Sequence, residues 1–313
     1  MPMPRRMPVA ITAALLSTAI AVVAPARASV RAVRASARAT LRATPSSAPS
    51  IRAVDFRNFN YEQGEDPSIT VVNGVFDRTS ADNPVHFRVL DVAYGDFSGD
   101  GRDDAIVTTV WNGGGTGQFT EPRLFILANG SIDEVGTLGV GDRADGGVHD
   151  AFVRNGKIVV DNYGQNGTGA CCPTFIERTT FAFRGKGPVA IGRPSRRAYL
   201  RLDSSAPSKL RFLPGTAVAT VEGDARTGDS AYFDANEGQR VTLAVAKHRV
   251  GSGSLDAVIT LRQSGGTIAA VRTGATWSGV LPASSRYTLS WAKATPGTDP
   301  KHDAFASVNV TIN

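Results

Sequence analysis

A formal net charge of +6 and a pI near 9.6 make the 313-residue chain basic, and 42% of its residues are hydrophobic. Eight of its 34 basic residues lie in residues 1–52, which contain no acidic residue, and this leaves 26 basic against 28 acidic residues in 53–313. The part of the chain that can fold is therefore close to neutral, which excludes the general basic surface of a nucleic-acid-binding protein.

Residues 1–28 have the three parts of an export signal. Two arginines precede an apolar run from Val9 to Val23, and Ala26-Arg27-Ala28 provides a cleavage site of the small-x-small type. We therefore expect a signal peptide over 1–28 and a mature chain, periplasmic or secreted, that starts at Ser29. The apolar run is short for a membrane span, no later stretch is long enough for one, and no cysteine stands at the cleavage point for a lipid anchor.

Residues 29–52 are rich in Ala, Arg, Ser and Pro and contain almost nothing large to bury, which predicts a disordered linker. The alternative is a basic arm for anionic surfaces. The rest of the chain exceeds one typical domain in length, and its composition shifts again at 192–206. This predicts two domains, 53–191 and 207–313, joined by a linker over 192–206.

Short runs rich in Val, Ile, Phe and Thr alternate with turn dipeptides through the first domain. Asn-Gly separates two apolar runs at 73–74, at 129–130 and at 155–156. Asn and Gly tolerate the positive φ angles of a type I′ hairpin turn, and no stretch of the domain has a convincing helical period. The pattern predicts an antiparallel β domain.

The most chemically specific stretch of this domain is an acidic, glycine-rich loop at 96–104. Its oxygen-bearing residues have the spacing of the first half of an EF-hand calcium loop, and of the Asp-rich loops of extracellular β-repeat proteins. Val107 stands where an EF-hand has its bidentate Glu, so such a site would bind Ca²⁺ weakly, with Kd about 10⁻⁴–10⁻³ M. The alternative is an ion-free turn whose carboxylates accept backbone N–H groups. The predicted ligands are Asp96, Ser98, Asp100, the Arg102 carbonyl, and Asp104, with Asp103 as a substitute for the last.

The two cysteines of the chain are adjacent, at Cys171 and Cys172, and Pro173 follows them. In an exported protein such a pair forms a disulfide between neighbouring residues, forms an intermolecular bridge, or stays reduced. We favour the vicinal disulfide, as a lock on a turn, over a redox or metal role. Two thiolates without further Cys or His ligands at useful spacing do not make a zinc site.

Four segments of the first domain form an ordered set: Asp55–Tyr61, Tyr94–Val107, Gly141–Arg143 and Cys171–Thr174. Together they resemble the LppP/LprE-type exported bacterial proteins. The resemblance implies an exported domain but no particular reaction, and this chain lacks the lipobox cysteine that many members have.

Apolar residues alternate more regularly in the second domain. Runs of this kind, separated by clusters of Gly, Ser and Asp, predict the strands of a small β-sandwich. The residues predicted to face its core are Val241, Leu243, Val245, Ala257, Ile259, Leu261, Tyr287, Leu289, Trp291, Val308, Val310 and Ile312.

Landmarks in this domain resemble the periplasmic inhibitors of i- and g-type lysozymes, and also the pre-peptidase C-terminal β-sandwich modules. They are Arg211–Gly215, Tyr232–Ala235, Glu237–Leu243 and Trp277–Leu289. In the inhibitors a Ser-Gly-x-Tyr loop enters the lysozyme cleft, and the resemblance therefore implies a partner-binding loop in the last of these segments.

Within that predicted loop, Ser284 and Tyr287 match the Ser and Tyr of the inhibitors. Ser285 replaces the Gly, and Arg286 replaces a residue that is usually polar or acidic. Arg286 is suited to pair with a catalytic carboxylate, yet it would be repelled by a basic lysozyme surface. Tyr287 has a structural alternative, as a corner residue with a packed ring and a hydroxyl bonded to nearby backbone.

No catalytic constellation stands out. None of the four histidines lies in a recognised metal or hydrolase motif, and His149-Asp150 has no serine or cysteine nucleophile in a recognisable turn. The sequence therefore predicts an exported, non-enzymatic binding protein, with a lysozyme as its candidate partner. The alternative is a Ca²⁺-stabilised envelope or surface module without inhibitory activity.

Overall fold

A computed structural model describes residues 50–63, 66–80, 84–115, 117–139, 141–142, 146–164, 173–185, 187–202, 206–246, 249–250, 253–254, 257–264, 266–293 and 305–313. These residues all belong to one compact unit and form β-strands with a single 3₁₀ turn and no α-helix. The prediction of a mainly β chain is confirmed. The segment 1–28 and both cysteines lie outside the described residues.

The 3₁₀ turn η1 is Ile51–Ala53. The strands are β1 (Asn60–Gln63), β2 (Asp66–Thr70), β3 (Val75–Arg78), β4 (Val85–Gly95), β5 (Asp104–Asn112), β6 (Phe119–Ala128), β7 (Ser131–Thr137), β8 (Val148–Arg154), β9 (Lys157–Tyr163), β10 (Phe175–Phe183), β11 (Pro188–Arg201), β12 (Ser208–Lys209), β13 (Val218–Asp224), β14 (Ser230–Ala235), β15 (Arg240–Val245), β16 (Arg249–Val250), β17 (Gly253–Ser254), β18 (Ala257–Gln263), β19 (Gly266–Arg272), β20 (Thr276–Val280), β21 (Ser285–Lys293) and β22 (Phe305–Ile312).

A five-stranded antiparallel sheet in the order β3-β4-β5-β6-β7 forms the centre of the first region. Asn73, Asn129 and Asn155 have φ of 55°, 52° and 52°, and the glycine after each also has positive φ, as a type I′ turn requires. The turns at 129–130 and 155–156 close the predicted hairpins, β6-β7 and β8-β9. The turn at 73–74 closes only an isolated bridge between Val72 and Val75, because β2 pairs with β1 and β3 with β4. Strand β5 is buried along nearly its whole length, although Asp104, Thr108, Thr109 and Asn112 are polar.

Two hydrophobic clusters explain the burial of β5 on both faces. On one side, Ala105 and Val107 pack with residues from η1, β1 and β2, among them Ile51 and Tyr61. On the other side, Ile106 packs with residues of β8 and β9. Because Ile51 is 1% exposed, residues 51 and 52 belong to the folded part and not to the linker predicted over 29–52.

An eight-stranded sheet in the order β20-β15-β22-β13-β11-β10-β9-β8 runs through both predicted domains. Strand β11 pairs antiparallel with β10 on one edge and parallel with β13 on the other, through residues 198–201. The linker predicted over 192–206 is therefore strand from 192 to 201. Strand β11 therefore continues from one predicted domain into the other, paired with β10 up to residue 198 and with β13 from residue 198, with a register shift at 192–194.

Buried polar side chains link five adjacent strands of this sheet. Arg178 donates two hydrogen bonds of 2.7 and 2.8 Å to the Asp161 carboxylate, and Arg197 donates a third of 2.6 Å. Arg197 also donates to Thr220, whose hydroxyl donates to Asn309, each over 2.6 Å. Burial alone would raise the pKa of Asp161, but the two arginines outweigh it and hold that pKa below its usual value.

The second region is a sandwich, as predicted. A second five-stranded sheet, in the order β12-β14-β21-β18-β19, packs against the β20-β15-β22-β13 part of the long sheet around one hydrophobic core. The alternating residues predicted to face the core are buried, except Ile312, which is partly buried against it. Strand alternation was a sufficient signal here because each sheet of a sandwich buries one face only.

Candidate functional site

The predicted partner-binding loop connects β20 to β21, which belong to different sheets and do not pair with each other, so the expected hairpin is not formed here. We use the term hairpin turn only as a name for residues 281–286. Its backbone is tied to the neighbouring 236–239 turn, since Gly238 N–H donates to the Leu281 carbonyl over 3.0 Å and Leu281 N–H donates to the Gln239 carbonyl over 2.8 Å. The Glu237 N–H also donates to the Ser284 hydroxyl over 3.0 Å. These bonds hold the hairpin turn in one conformation.

Tyr287 points away from this surface. Its side chain is 0% exposed, its ring stacks on Phe233 with centroids 5.8 Å apart, and its hydroxyl donates to the Ala283 carbonyl. It therefore has the geometry of the corner-residue alternative and braces the hairpin turn from inside. In this conformation neither the ring nor the hydroxyl of Tyr287 is accessible to a partner.

The other three predicted loop residues stay accessible. Ser284 and Arg286 are exposed and Ser285 is half-buried. The Arg286 side chain is 62% exposed, and its guanidinium lies 4.2 Å above the centre of the Tyr232 ring. The hairpin turn thus presents one hydroxyl and one oriented guanidinium to solvent.

Asp234 supports Arg286 from the neighbouring strand β14. Its carboxylate lies 3.4 Å from Arg286 Nε and accepts a 2.8 Å hydrogen bond from Lys209 Nζ. The hydrogen bond from Lys209 lowers the pKa of Asp234 below its usual value. Sequence reasoning missed both residues as part of the site. The register that sets Asp234 opposite Arg286 depends on a long-range strand pairing, which local pattern does not show.

In the acidic loop, two predicted calcium ligands are used by the loop's own backbone. The Asp96 carboxylate accepts from Gly99 N–H over 2.6 Å and from Gly101 N–H over 2.9 Å. One oxygen of Asp104, which is 1% exposed, accepts from the N–H groups of Phe97 and Ser98. Burial raises the pKa of Asp104.

The remaining acidic side chains of this loop face arginines. Asp100 accepts from the N–H, Nε and Nη2 of Arg102, and Asp103 pairs with Arg52. Within the part of the chain that the structure describes, no group of three or more Asp, Glu, His or Cys side chains is arranged to hold a metal ion. The geometry favours the turn alternative, and calcium binding stays a prediction.

His149, which precedes Asp150 in the sequence, has its side chain in the interior. Its ring packs edge-on against Tyr163 and Tyr199, and its Nε2 lies 3.7 Å from a Glu222 oxygen. The predicted disulfide of Cys171 and Cys172 lies outside the described residues. None of the described residues forms a helix that could cross a membrane.

No family model matches the chain, and no curated protein matches it. The resemblances to LppP/LprE-type proteins and to pre-peptidase modules therefore stay predictions. Solved structures with some similarity include a periplasmic inhibitor of g-type lysozyme, PliG, from Aeromonas hydrophila, with 20% identity, 37% of this chain and 100% of that chain covered, and a TM-score of 0.28. Salmonella Typhimurium PliG gives 20% identity, 35% and 100% coverage, and a TM-score of 0.28. A mutant of Escherichia coli PliG gives 18% identity, covers 34% of this chain and 97% of its own, and has a TM-score of 0.25. Scores this low do not establish a shared fold or function.

Proposed function

We propose that the chain is an exported, non-enzymatic binding protein whose sandwich engages a lysozyme-type wall-lytic enzyme through the hairpin turn. The observation that carries the proposal is the presentation of Ser284 and Arg286 on a turn that the sequence landmarks single out. Because Tyr287 is buried in the protein's own core, the proposed contact surface consists of Ser284, the accessible part of Ser285, and Arg286.

Rigidity of the hairpin turn favours this role. Binding a partner with a loop that must first be ordered loses part of the interaction free energy to that ordering. Here the Leu281 and Ser284 hydrogen bonds and the buried Tyr287 hold the turn in advance. The free and bound forms of the turn are therefore expected to be alike.

The chemistry of Arg286 indicates what it meets on the enzyme. Glycoside hydrolases of the lysozyme class act with a pair of carboxyl groups that flank the scissile bond. A guanidinium is planar and makes paired hydrogen bonds to a carboxylate, and it is enriched among the residues that dominate binding energy at interfaces. We expect Arg286 to leave Asp234 on binding and pair with a carboxylate in or beside the catalytic cleft.

The test is a cell-wall lysis assay with g-, i- and c-type lysozymes and the purified mature chain. We expect slower lysis with at least one type, and an inhibition constant about 30-fold weaker for Arg286→Ala, as for a residue that dominates an interface. Arg154→Ala is the matched control, because Arg154 is equally an exposed arginine but ends β8 in the other region. Unchanged lysis rates with all three lysozymes would exclude the proposed function.

A further inference from the structure

The outward side of the β12-β14-β21-β18-β19 sheet carries a row of polar side chains that runs straight across the strands. Lys209 pairs in register with Tyr232, Tyr232 with Thr288, and Thr288 with Arg262. Neighbouring strands lie about 4.8 Å apart, so the backbones of Lys209 and Arg262 are roughly 14 Å apart with two strands between them. Arg286 lies between these two cations, over the Tyr232 ring.

This outward side is strongly basic. We call it the outer sheet face, and among the described side chains that alternate away from the core it includes Lys209, Tyr232, Asp234, Thr260, Arg262, Arg272, Arg286 and Thr288, with the uncharged Ser230, Val258, Ala270, Ser290 and Ala292. It holds four cationic side chains and one carboxylate, so its formal charge is +3. The carboxylate, Asp234, already lies between Lys209 and Arg286.

The amino-acid composition of the second region does not show the positive charge of the outer sheet face. Three of its carboxylates, those of Glu222, Asp224 and Asp229, are 4%, 5% and 3% exposed. They lie inside the protein, where Asp224 pairs with Arg226 and Asp229 accepts from the Asp224 N–H. Acidic residues that would balance the charge in the sequence therefore do not balance it on the outer sheet face.

We propose that the outer sheet face binds an anionic polysaccharide, a carbohydrate polymer that carries carboxylate, sulfate or phosphate groups along its length. A polymer that lies across the strands would meet Lys209, Arg286 and Arg262 in turn. The hydroxyls of Thr288 and Thr260 lie along its path, and short hydroxyl side chains hydrogen-bond readily to sugar hydroxyls.

Other anionic partners fit the outer sheet face less well. Interfacial membrane binding uses large apolar side chains that enter the lipid. Among the described residues, the exposed large hydrophobic side chains are Val72, Val189 and Val280, and none is on this face. Single-stranded nucleic acid needs open aromatic rings for base stacking. The aromatic ring of this face, that of Tyr232, is covered by Arg286.

Binding of the full mature chain to fluorescently labelled dextran sulfate and polygalacturonate tests the proposal, with neutral dextran as the uncharged control. We expect both anionic polymers to bind, neutral dextran not to bind, and affinity to fall steeply as salt is raised from 50 to 200 mM. Arg262→Glu should weaken binding roughly tenfold or more, since it removes one cationic contact and adds a repulsive one.

Arg240→Glu is the matched control. It makes the same change of charge in the same sandwich, but Arg240 is exposed on β15, which belongs to the opposite sheet. The basic N-terminal segment is common to all variants, so only a difference between them reports on the face. Equal binding of wild type, Arg262→Glu and Arg240→Glu would overturn the proposal, as would a failure of both anionic polymers to bind.

Two further probes separate the polysaccharide from other polyanions. The probes are phosphatidylglycerol vesicles and an oligothymidylate. If either bound more tightly than both polymers, and Arg262→Glu weakened that binding, the assignment of a polysaccharide to this face would be overturned. Arg262 lies outside the hairpin turn, so this outcome and the outcome of the lysozyme assay are independent of each other.

Discussion

The acidic loop at 96–104 and the hairpin turn at 281–286 both carry functional motifs in the sequence, but the fold uses their side chains differently. In the acidic loop, the carboxylates of Asp96 and Asp104 point at backbone N–H groups of the loop itself. At the hairpin turn, Leu281 and the adjacent Tyr287 are turned inward, and Ser284 and Arg286 stay exposed to solvent.

The difference comes from what each loop must satisfy. A tight glycine-rich loop leaves several N–H groups without strand partners, and nearby carboxylates are the available acceptors. In the hairpin turn, the N–H and C=O groups of Leu281 bond to the backbone of the 236–239 turn, and the Ser284 hydroxyl accepts one N–H of that turn. The Arg286 side chain stays largely exposed beside Asp234. A sequence motif therefore predicts function better where its side chains are not taken up in hydrogen bonds to the backbone of their own loop.

Removal of the Asp104 carboxylate tests the structural role of the acidic loop and should have the largest effect. Asp104→Ala leaves the buried N–H of Phe97 and the N–H of Ser98 without their acceptor, which we expect to lower the free energy of unfolding by about 3 kcal/mol. Asp104→Asn should lose much less, because both N–H groups bond to one oxygen, which the amide retains. Urea unfolding measures both.

Asp103→Ala is the control for this comparison, since the neighbouring Asp103 is on the surface and pairs only with the exposed Arg52. It should change stability little. A stability loss for Asp103→Ala equal to that for Asp104→Ala would show that the two carboxylates do not differ as described.

Two substitutions at adjacent positions, 286 and 287, should have opposite effects on stability and on lysozyme inhibition. Tyr287→Phe removes the hydrogen bond to the Ala283 carbonyl and should lower stability by about 1 kcal/mol, with lysozyme inhibition kept. Arg286→Ala should leave stability nearly unchanged and weaken inhibition. Thermal melts and lysis assays on the same preparations separate the two. If Tyr287→Phe abolished inhibition in a fully folded protein, the hydroxyl would contact the partner and the assignment of Tyr287 to the core would be wrong.

Acidic pH provides a smaller test of the acidic loop. Because burial raises the pKa of Asp104 above its usual value, the folded state keeps this proton at pH values where the unfolded chain has lost it. The stability gained from this bound proton is therefore full below the unfolded pKa and is lost as the pH rises through the folded pKa, whereas the two hydrogen bonds from Phe97 and Ser98 persist. Stability measured from pH 3 to 6 should carry this fall in the wild type but not in Asp104→Asn, and identical pH profiles would contradict it.

Calcium should have the smallest effect. Ligand that binds only the native state must raise the unfolding midpoint, and a site with Kd of about 1 mM or tighter would do so measurably at 10 mM Ca²⁺. Since the carboxylates of Asp96 and Asp104 already accept N–H groups, and Asp100 faces Arg102, we expect equal midpoints in Ca²⁺ and in chelator. A higher midpoint in Ca²⁺ that Asp96→Asn removes would restore the calcium site.

Local sequence signals predicted much of this fold. Asn-Gly hairpins and the period-2 alternation of the sandwich strands depend on residues next to one another, and both are found in the structure. The parallel pairing of β11 with β13 was not predictable, because it joins residues about twenty positions apart and the turn signals between them, such as Pro214-Gly215, do not specify which strands pair. For the same reason the buried Asp161, Arg178 and Arg197 gave no sign that they would meet.

The candidate site shows the same division between local and long-range information. Alternation already set Tyr287 on one face with Leu289 and Trp291, and that face is the core, so its burial was implied by the pattern. The position of Asp234 opposite Arg286 and the basic row on the outer sheet face needed the strand order. Strand order depends on long-range pairing, which a single sequence does not reveal.

Hydrogen exchange of the chain with and without a g-type lysozyme would test the central claim most directly. We predict slower amide exchange on binding at residues 281–286 and at the 236–239 turn that supports them, with the acidic loop at 96–104 unchanged. Protection confined to other parts of the chain, or inhibition of the enzyme without any change at residues 281–286, would contradict the assignment of the hairpin turn as the partner-binding site.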